Sequence, residues 1–169
     1  MAFTMLGPRV VIIGNSGSGK TTLARQLECR VGGRRTDLDH IHWLDQVGTK
    51  RGEEDAKSRV IALAAEENWI IEGVFGWLAE VALPRASMLI WLDMSPQVCR
   101  NSIATRGPWR DATAEQHAGL LAWAAAYWHR TTSSSFAGHQ ALFANFPRAK
   151  IRLSDRAEVD DLVAEQATT

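Results

Sequence analysis

The run Val10-Val11-Ile12-Ile13, followed at once by Gly14-Asn15-Ser16-Gly17-Ser18-Gly19-Lys20-Thr21-Thr22, limits the possible folds more than any other stretch of this sequence. Four consecutive apolar β-branched residues suit a strand covered on both faces. Leu23, Leu27 and Val31 then recur every four residues, which predicts a helix from about Lys20. Between the two, Gly14 to Thr21 fit the pattern G-x-x-x-x-G-K-[ST]. Strand, glycine loop and helix stand in the order that a phosphate-binding loop needs, and a chance match would lack those flanks.

The residue types suit that chemistry. Backbone N–H groups must wrap a phosphate without intruding side chains, and Gly14, Gly17 and Gly19 permit close approach and positive φ. The helix start at Lys20 adds free N–H groups and the positive end of a dipole. Lys20 can reach β- and γ-phosphates as a point charge, and Thr21 offers a hydroxyl to Mg²⁺. Gly14, Asn15, Ser16, Gly17, Ser18, Gly19, Lys20, Thr21 and Thr22 are therefore the expected nucleotide-binding residues, with ATP and Mg²⁺ as ligands.

Downstream, apolar runs alternate with helical stripes. Strands are expected at residues 35–38, 69–71, 88–93 and 150–153. Helices are expected over residues 56–67 and 75–82, and from Ser95-Pro96 to Gly107-Pro108. A further helix is capped by Thr113 and Gln116 and broken by the polar residues 131–135, one covers His139 to Phe146, and a last one follows Ser154-Asp155. Five such alternations imply an α/β fold with a parallel sheet covered on both faces. Ligands of such sheets sit beyond the carboxyl ends of the strands. That edge carries the glycine loop, Asp39, Glu72-Gly73, Asp93 and Ser154-Asp155.

With 169 residues the chain is expected to be one domain, with residues 100–115 as a lid. Nineteen basic residues balance nineteen acidic ones, which disfavours a broad nucleic-acid surface. No signal peptide or membrane-length apolar run is visible, so a cytoplasmic protein is expected, a monomer or homodimer. Cys29 and Cys99 fall in expected helices and read as free buried thiols. Most of the seven tryptophans should be core or pocket wall, because basic residues do not interleave them.

Asp39 leads the candidates on the acceptor side. A carboxylate there can orient an acceptor hydroxyl or hold a Mg²⁺-bound water, while the plainer reading is a turn cap by Asp37 or Asp39. His40 and His42 read either as pocket lining or, the plainer choice, as satisfied turn residues. Asp93 ends an apolar strand and is expected to join Thr21 at the metal, with a helix-start role as its alternative. Arg100, Arg106 and Arg110 surround the Gly107-Pro108 break, where a mobile lid would bring guanidinium groups to the transferring phosphate. Arg100 and Arg106 are the catalytic candidates among them, beside Lys20 and Asp39; a solvated helix face is the alternative. Arg130 and Arg148 read as surface residues. Trp43, Phe75 and Trp77 follow strand ends and suit either a pocket wall or packing, and Ser154-Asp155-Arg156 either flank the nucleotide base or cap a helix.

With these residues in place the sequence resembles small P-loop kinases related to adenylate and shikimate kinases, and more narrowly the adenylate-kinase-like topology modulation proteins. The resemblance rests on Gly-Asn-Ser-Gly-Ser-Gly-Lys-Thr-Thr (14–22), Leu-Asp-His-Ile-His-Trp (38–43), Trp-Ile-Ile-Glu-Gly (69–73), Met-Leu-Ile-Trp-Leu-Asp (88–93) and Ile-Arg-Leu-Ser-Asp-Arg-Ala-Glu-Val (151–159). It implies a P-loop NTPase α/β/α fold with five parallel strands ordered 2-3-1-4-5, ATP and Mg²⁺ as ligands, and a small-molecule acceptor. Two features depart from it. The acceptor-site arginine pattern of adenylate kinases is absent, and Glu72-Gly73-Val74 replaces the glycine triplet of shikimate kinases.

The expected activity is transfer of the ATP γ-phosphoryl group to a nucleotide, a nucleoside or another hydroxylated metabolite. The alternative is a regulatory NTPase acting on a protein or DNA partner. A GTPase is disfavoured because no Asn-Lys-x-Asp segment occurs.

Overall fold

A computed structural model describes residues 6–44, 48–109 and 111–167. Five strands form one parallel sheet: β1 (Arg9–Gly14), β2 (Arg34–Asp37), β3 (Trp69–Gly73), β4 (Met88–Leu92) and β5 (Ala149–Leu153). Their order is β2-β3-β1-β4-β5, as the resemblance implies. β1 is central; Ile12 lies opposite Glu72 of β3, and Gly14 opposite Leu92 of β4. The glycine loop therefore leaves the sheet between the ends of β3 and β4.

Strand pleating splits the core. Val11, Ile13, Trp69, Ile71, Leu89 and Trp91 point to one face, and Val10, Ile12, Ile70, Met88, Ile90 and Leu92 to the other. The second face is covered by α1 (Lys20–Val31), α5 (Pro96–Arg106) and α8 (Arg156–Ala167), through Leu23, Leu27, Cys99, Val159 and Leu162. The first is covered by α2 (Leu38–His42), α3 (Glu53–Ala64), α4 (Gly76–Ala82) and α7 (Phe136–Asn145). The helix α6 (Ala114–Ala125) and a following 3-10 turn at Ala126–Trp128 rise beside α5. Thr113 and Gln116 form the expected capping box, with bonds of 2.8 and 3.1 Å.

Three local expectations are corrected. The second strand stops at Asp37 and turns into the short helix α2, because the Asp37 carboxylate caps it by accepting the Asp39 N–H at 2.8 Å. The seventh helix begins at Phe136, three residues earlier than expected, because Ser135 caps it through the Gly138 N–H at 3.1 Å. Cys29 is exposed rather than buried: it lies two positions past Leu27, about half a turn from the buried stripe of α1. None of the described helices is long and apolar enough to cross a membrane.

Candidate active site

The loop is shaped by contacts that leave no room for side chains. Gly17 has φ 77°, and a Cβ there would run into the Cys99 carbonyl of α5. Gly19 has φ 97°, and a Cβ there would strike the Arg156 guanidinium, which donates to the Ser18 carbonyl at 2.7 Å. Lys20 folds back over the loop and donates from Nζ to the Asn15 carbonyl at 2.8 Å. Asn15 is buried. Its Nδ2 donates to the Ala124 carbonyl at the end of α6 at 2.9 Å, and its Oδ1 accepts the Ser16 N–H at 2.8 Å. The Ser18 hydroxyl is buried without a partner among the described residues. A loop with no space for a Cβ at Gly17 or Gly19, with a cation folded over it, suits an anionic polyphosphate.

Beside the loop, the Thr21 hydroxyl donates to Glu72 Oε1 at 2.7 Å. Glu72 is 1% exposed. Its carboxyl is pushed up to about 7, mainly by burial and then by Asp37, while Lys20 and the Thr21 bond pull it down. Among the described residues no three His, Cys, Asp or Glu side chains cluster to cage a metal. The Thr21 hydroxyl and the Glu72 carboxylate fit magnesium, which keeps several waters and needs only one or two protein oxygens beside substrate phosphates.

Lys20, Thr21 and Glu72 open onto one cavity of about 1040 Å³, which Asp39 and Arg106 also line. Away from the loop its wall turns aromatic, with His42, Trp43, Phe75, Trp109 and Trp123. His42 stacks on Phe75 at 3.9 Å between centroids, with 25° between ring planes. Trp43 meets the His42 ring edge-on at 4.5 Å. Burial, helped by the charge of Lys50, holds the His42 imidazole down to about 4, so it is neutral at neutral pH.

A buried polar chain stands behind this wall. The His139 Nε2–H donates to the Val74 carbonyl at 2.9 Å, which leaves Nδ1 to accept the Tyr127 hydroxyl at 2.8 Å. The Trp91 indole N–H completes the chain by donating to Tyr127 Oη at 3.3 Å. Burial depresses His139 to about 3 and raises Tyr127. Val74 immediately precedes Phe75, so the chain fixes the backbone that presents the aromatic wall.

The structure thus brings together Lys20, Thr21, Asp39, Arg106 and Trp43, but not all the expected residues. The Asp93 carboxylate is held by Arg152 of β5, at 3.0 Å from Nε and 2.5 Å from Nη2, and it does not line the cavity. Arg152 in turn lies over the Trp91 ring at 4.5 Å. Arg100 also lies away, lining a separate cleft of about 510 Å³ between α5 and α6. Helical phase explains this: Ser102 and Arg106 are four residues apart and share the cavity face, whereas Arg100 sits about a third of a turn around the helix from Arg106. Arg110 lies outside the described residues. Trp77 packs behind His42 at 5.9 Å rather than lining the cavity. Arg148 is exposed as expected, but Arg130 is half-buried, with its guanidinium 3.9 Å over Trp123 and bonded to the Trp123 and Ser134 carbonyls. His42 is not a satisfied turn histidine; it is 8% exposed and its Nδ1 has no partner among the described residues.

The sequence placed Glu72 on the ligand edge without giving it a partner, and the structure bonds it to Thr21 of the loop. The signal was present, since Glu72 and Asp93 each end or follow an apolar strand. Both strands flank β1, and only the Arg152 pairing removes one of the two carboxylates.

No family model matches the sequence, and no curated protein matches it. Solved structures do share its fold. A sugar kinase from Janibacter sp. HTCC2649 is similar with a TM-score of 0.56 and 19% identity, over 98% of this chain and 94% of that one. Shikimate kinase from Bacteroides thetaiotaomicron is similar with a TM-score of 0.56 and 18% identity, over 98% of both chains. A gluconokinase from Sinorhizobium meliloti 1021 follows at 0.54 and 16%, over 95% and 91%. The fold is therefore the P-loop α/β fold that such small-molecule kinases use, as expected.

Proposed function

We propose that the protein is an ATP- and Mg²⁺-dependent kinase that transfers the γ-phosphoryl group to a small acceptor bound in the large cavity. One observation carries the reading: the loop lysine and threonine open onto the same cavity as Asp39 and Arg106. Phosphoryl transfer depends mainly on positioning and on neutralising charge, and these side chains supply both.

In this reading Gly14 to Thr22 hold the polyphosphate, and Lys20 leaves the Asn15 carbonyl to pair with the β- and γ-oxygens. Thr21 and Glu72, not Asp93, would hold magnesium and its waters beside the phosphates. When bound, magnesium supplies neutralisation of the bridging and terminal phosphate oxygens. The acceptor oxygen forms a bond to the γ-phosphorus as the bond to the β-phosphate oxygen breaks, and ADP leaves. If the acceptor is a hydroxyl, its proton passes to the Asp39 carboxylate; if it is a phosphate, Asp39 only positions it. Arg106 meets charge on the transferring group, and Arg156, with Ser154 and Asp155, flanks the nucleotide on the β5 side. The whole chain acts as one kinase unit, and the link after Arg106 closes over the bound substrates as its lid. Gly107, at φ 74°, is the pivot of that link.

The test is calorimetry with MgATP, then ADP release with and without pools of nucleosides, nucleotides, sugars and hydroxy acids. Release that depends on an acceptor supports a kinase. MgATP binding with release stimulated only by a protein or DNA partner would replace it with a regulatory NTPase, and no MgATP binding would end both readings.

A further inference from the structure

The cavity wall away from the loop is rich in aromatic rings. Trp43, Trp109 and Trp123 are half-buried along it, and the His42–Phe75 stack extends the same wall. Ring faces offer dispersion and a negative quadrupole. Such faces suit a flat π-system, which stacks on indole whatever its exact substituents.

A second observation points to a polar edge on that ligand. His42 is 8% exposed, and its Nδ1 has no partner among the described residues. His117 Nδ1, on another part of the cavity wall, is likewise buried and unpartnered. A buried polar atom left without a partner costs free energy unless something in the cavity meets it. The His42 imidazole is neutral at neutral pH, so its Nδ1 can give or accept one hydrogen bond with the edge of a ligand.

The third observation concerns place. His42, Trp43 and Phe75 follow β2 and β3, while Arg156 follows β5 on the far side of β1. The loop that holds the polyphosphate emerges between them, so a ring on this wall is separate from the base of the nucleotide donor.

We infer that the acceptor carries a nucleobase-like heteroaromatic ring, held against the Trp43, Trp109 and Trp123 faces with its polar edge on His42. This rests on the kinase reading and narrows it. Two sources share that chemistry, a nucleoside and a nucleoside monophosphate, and Lys50 and Arg106 on the cavity wall could serve the phosphate of the second.

The experiment starts from protein saturated with MgADP. Adenosine, cytidine, thymidine, their 5′-monophosphates, gluconate and shikimate are each titrated while tryptophan emission is followed, and ADP release from MgATP is measured with the same panel. The expected result is saturable quenching by at least one base-bearing compound without displacement of MgADP, and acceleration of ADP release by that compound alone. Phosphorylation of the nucleoside or of the monophosphate separates the two sources. His42→Leu and Trp123→Leu should each raise the KM for that acceptor by about tenfold or more, and leave the KM for ATP within about twofold. Should Trp123→Leu fail to fold, His42→Leu carries the test alone. Saturation by gluconate or shikimate, displacement of MgADP by the base, or MgATP binding with no response to any base would overturn the inference and leave the kinase reading standing. Absence of MgATP binding would remove the kinase reading itself, and this inference with it.

Discussion

Residues between Ser16 and Thr22 line one side of the cavity from a single contiguous stretch, whereas the opposite wall is assembled from side chains at the end of α2, in the β3–α4 link, in the α5–α6 link and on α6. The first side is local in sequence and nearly closed to variation, since a Cβ at Gly17 or Gly19 meets its neighbours at once. The second draws its rings from four separated segments and is held by a buried polar chain behind them. A phosphate is the same in every nucleotide, so its receptor can be fixed backbone. An acceptor must be distinguished from others, which side chains do. The two sides are joined at Asn15, whose amide reaches from the loop to the Ala124 carbonyl, one residue beyond Trp123.

Removing the loop cation should have the largest effect. Lys20→Ala is expected to reduce ADP release by roughly a thousandfold, about 4 kcal/mol of transition-state stabilisation, with melting temperature little changed. Single-turnover rates measure it; an unaltered rate would mean that the activity belongs to a contaminant. Next comes the carboxylate on Thr21. Glu72→Gln keeps the shape and the Thr21 hydrogen bond but removes the charge, and should slow turnover by about a hundredfold, roughly 2.7 kcal/mol. Its magnesium requirement should shift to higher concentration, and a magnesium titration separates this from simple unfolding. The same titration on Asp93→Asn should match the unaltered protein, because Asp93 is occupied by Arg152.

A smaller effect is expected where the two sides are joined. Asn15→Ala removes the amide bond to the Ala124 carbonyl and the acceptor of the Ser16 N–H, at about 1–2 kcal/mol. If the link positions both sides, KM for ATP and KM for the acceptor should rise together, by about tenfold each at most. A rise in only one would show the sides to be independent, and thermal melts report the stability cost.

How much of this was legible follows from the same contrast. The glycine loop, its strand and its helix could be read because one contiguous pattern encodes them, and the alternation of elements carried the parallel sheet. The placement of Asp39 and Trp43 on the cavity was accessible too, since strand ends of such sheets face ligands, and Arg106 was accessible through the Gly107-Pro108 break beside it. What could not be read depended on pairings between distant residues. Arg152 takes Asp93 across 59 positions, and Thr21 takes Glu72 across 51. Whether a histidine finds a partner is also a tertiary fact: His139 has two, and His42 Nδ1 has none among the described residues, though both look alike in sequence.

That last pair supplies a prediction in which the aromatic wall is probed through stability alone. Both imidazoles are held below their ordinary value, His139 to about 3 and His42 to about 4, in each case chiefly by burial. The unfolded chain therefore binds protons at these sites near pH 6.5 while the folded chain does not. Stability from this source is fully present above about pH 6.5 and falls with acidification towards the folded values. At pH 5.5 the His139 share of the loss should be about 1.4 kcal/mol, with His42 adding a comparable or smaller part. His139→Gln removes the first share, can still meet the Val74 carbonyl or the Tyr127 hydroxyl, and should flatten the dependence by roughly half between pH 6.5 and 5.5. Urea midpoints across that range measure it. A profile as steep as that of the unaltered protein would mean that His139 is protonated in the folded state, and the chain from Trp91 through Tyr127 to Val74 could not then run in the direction its donors require.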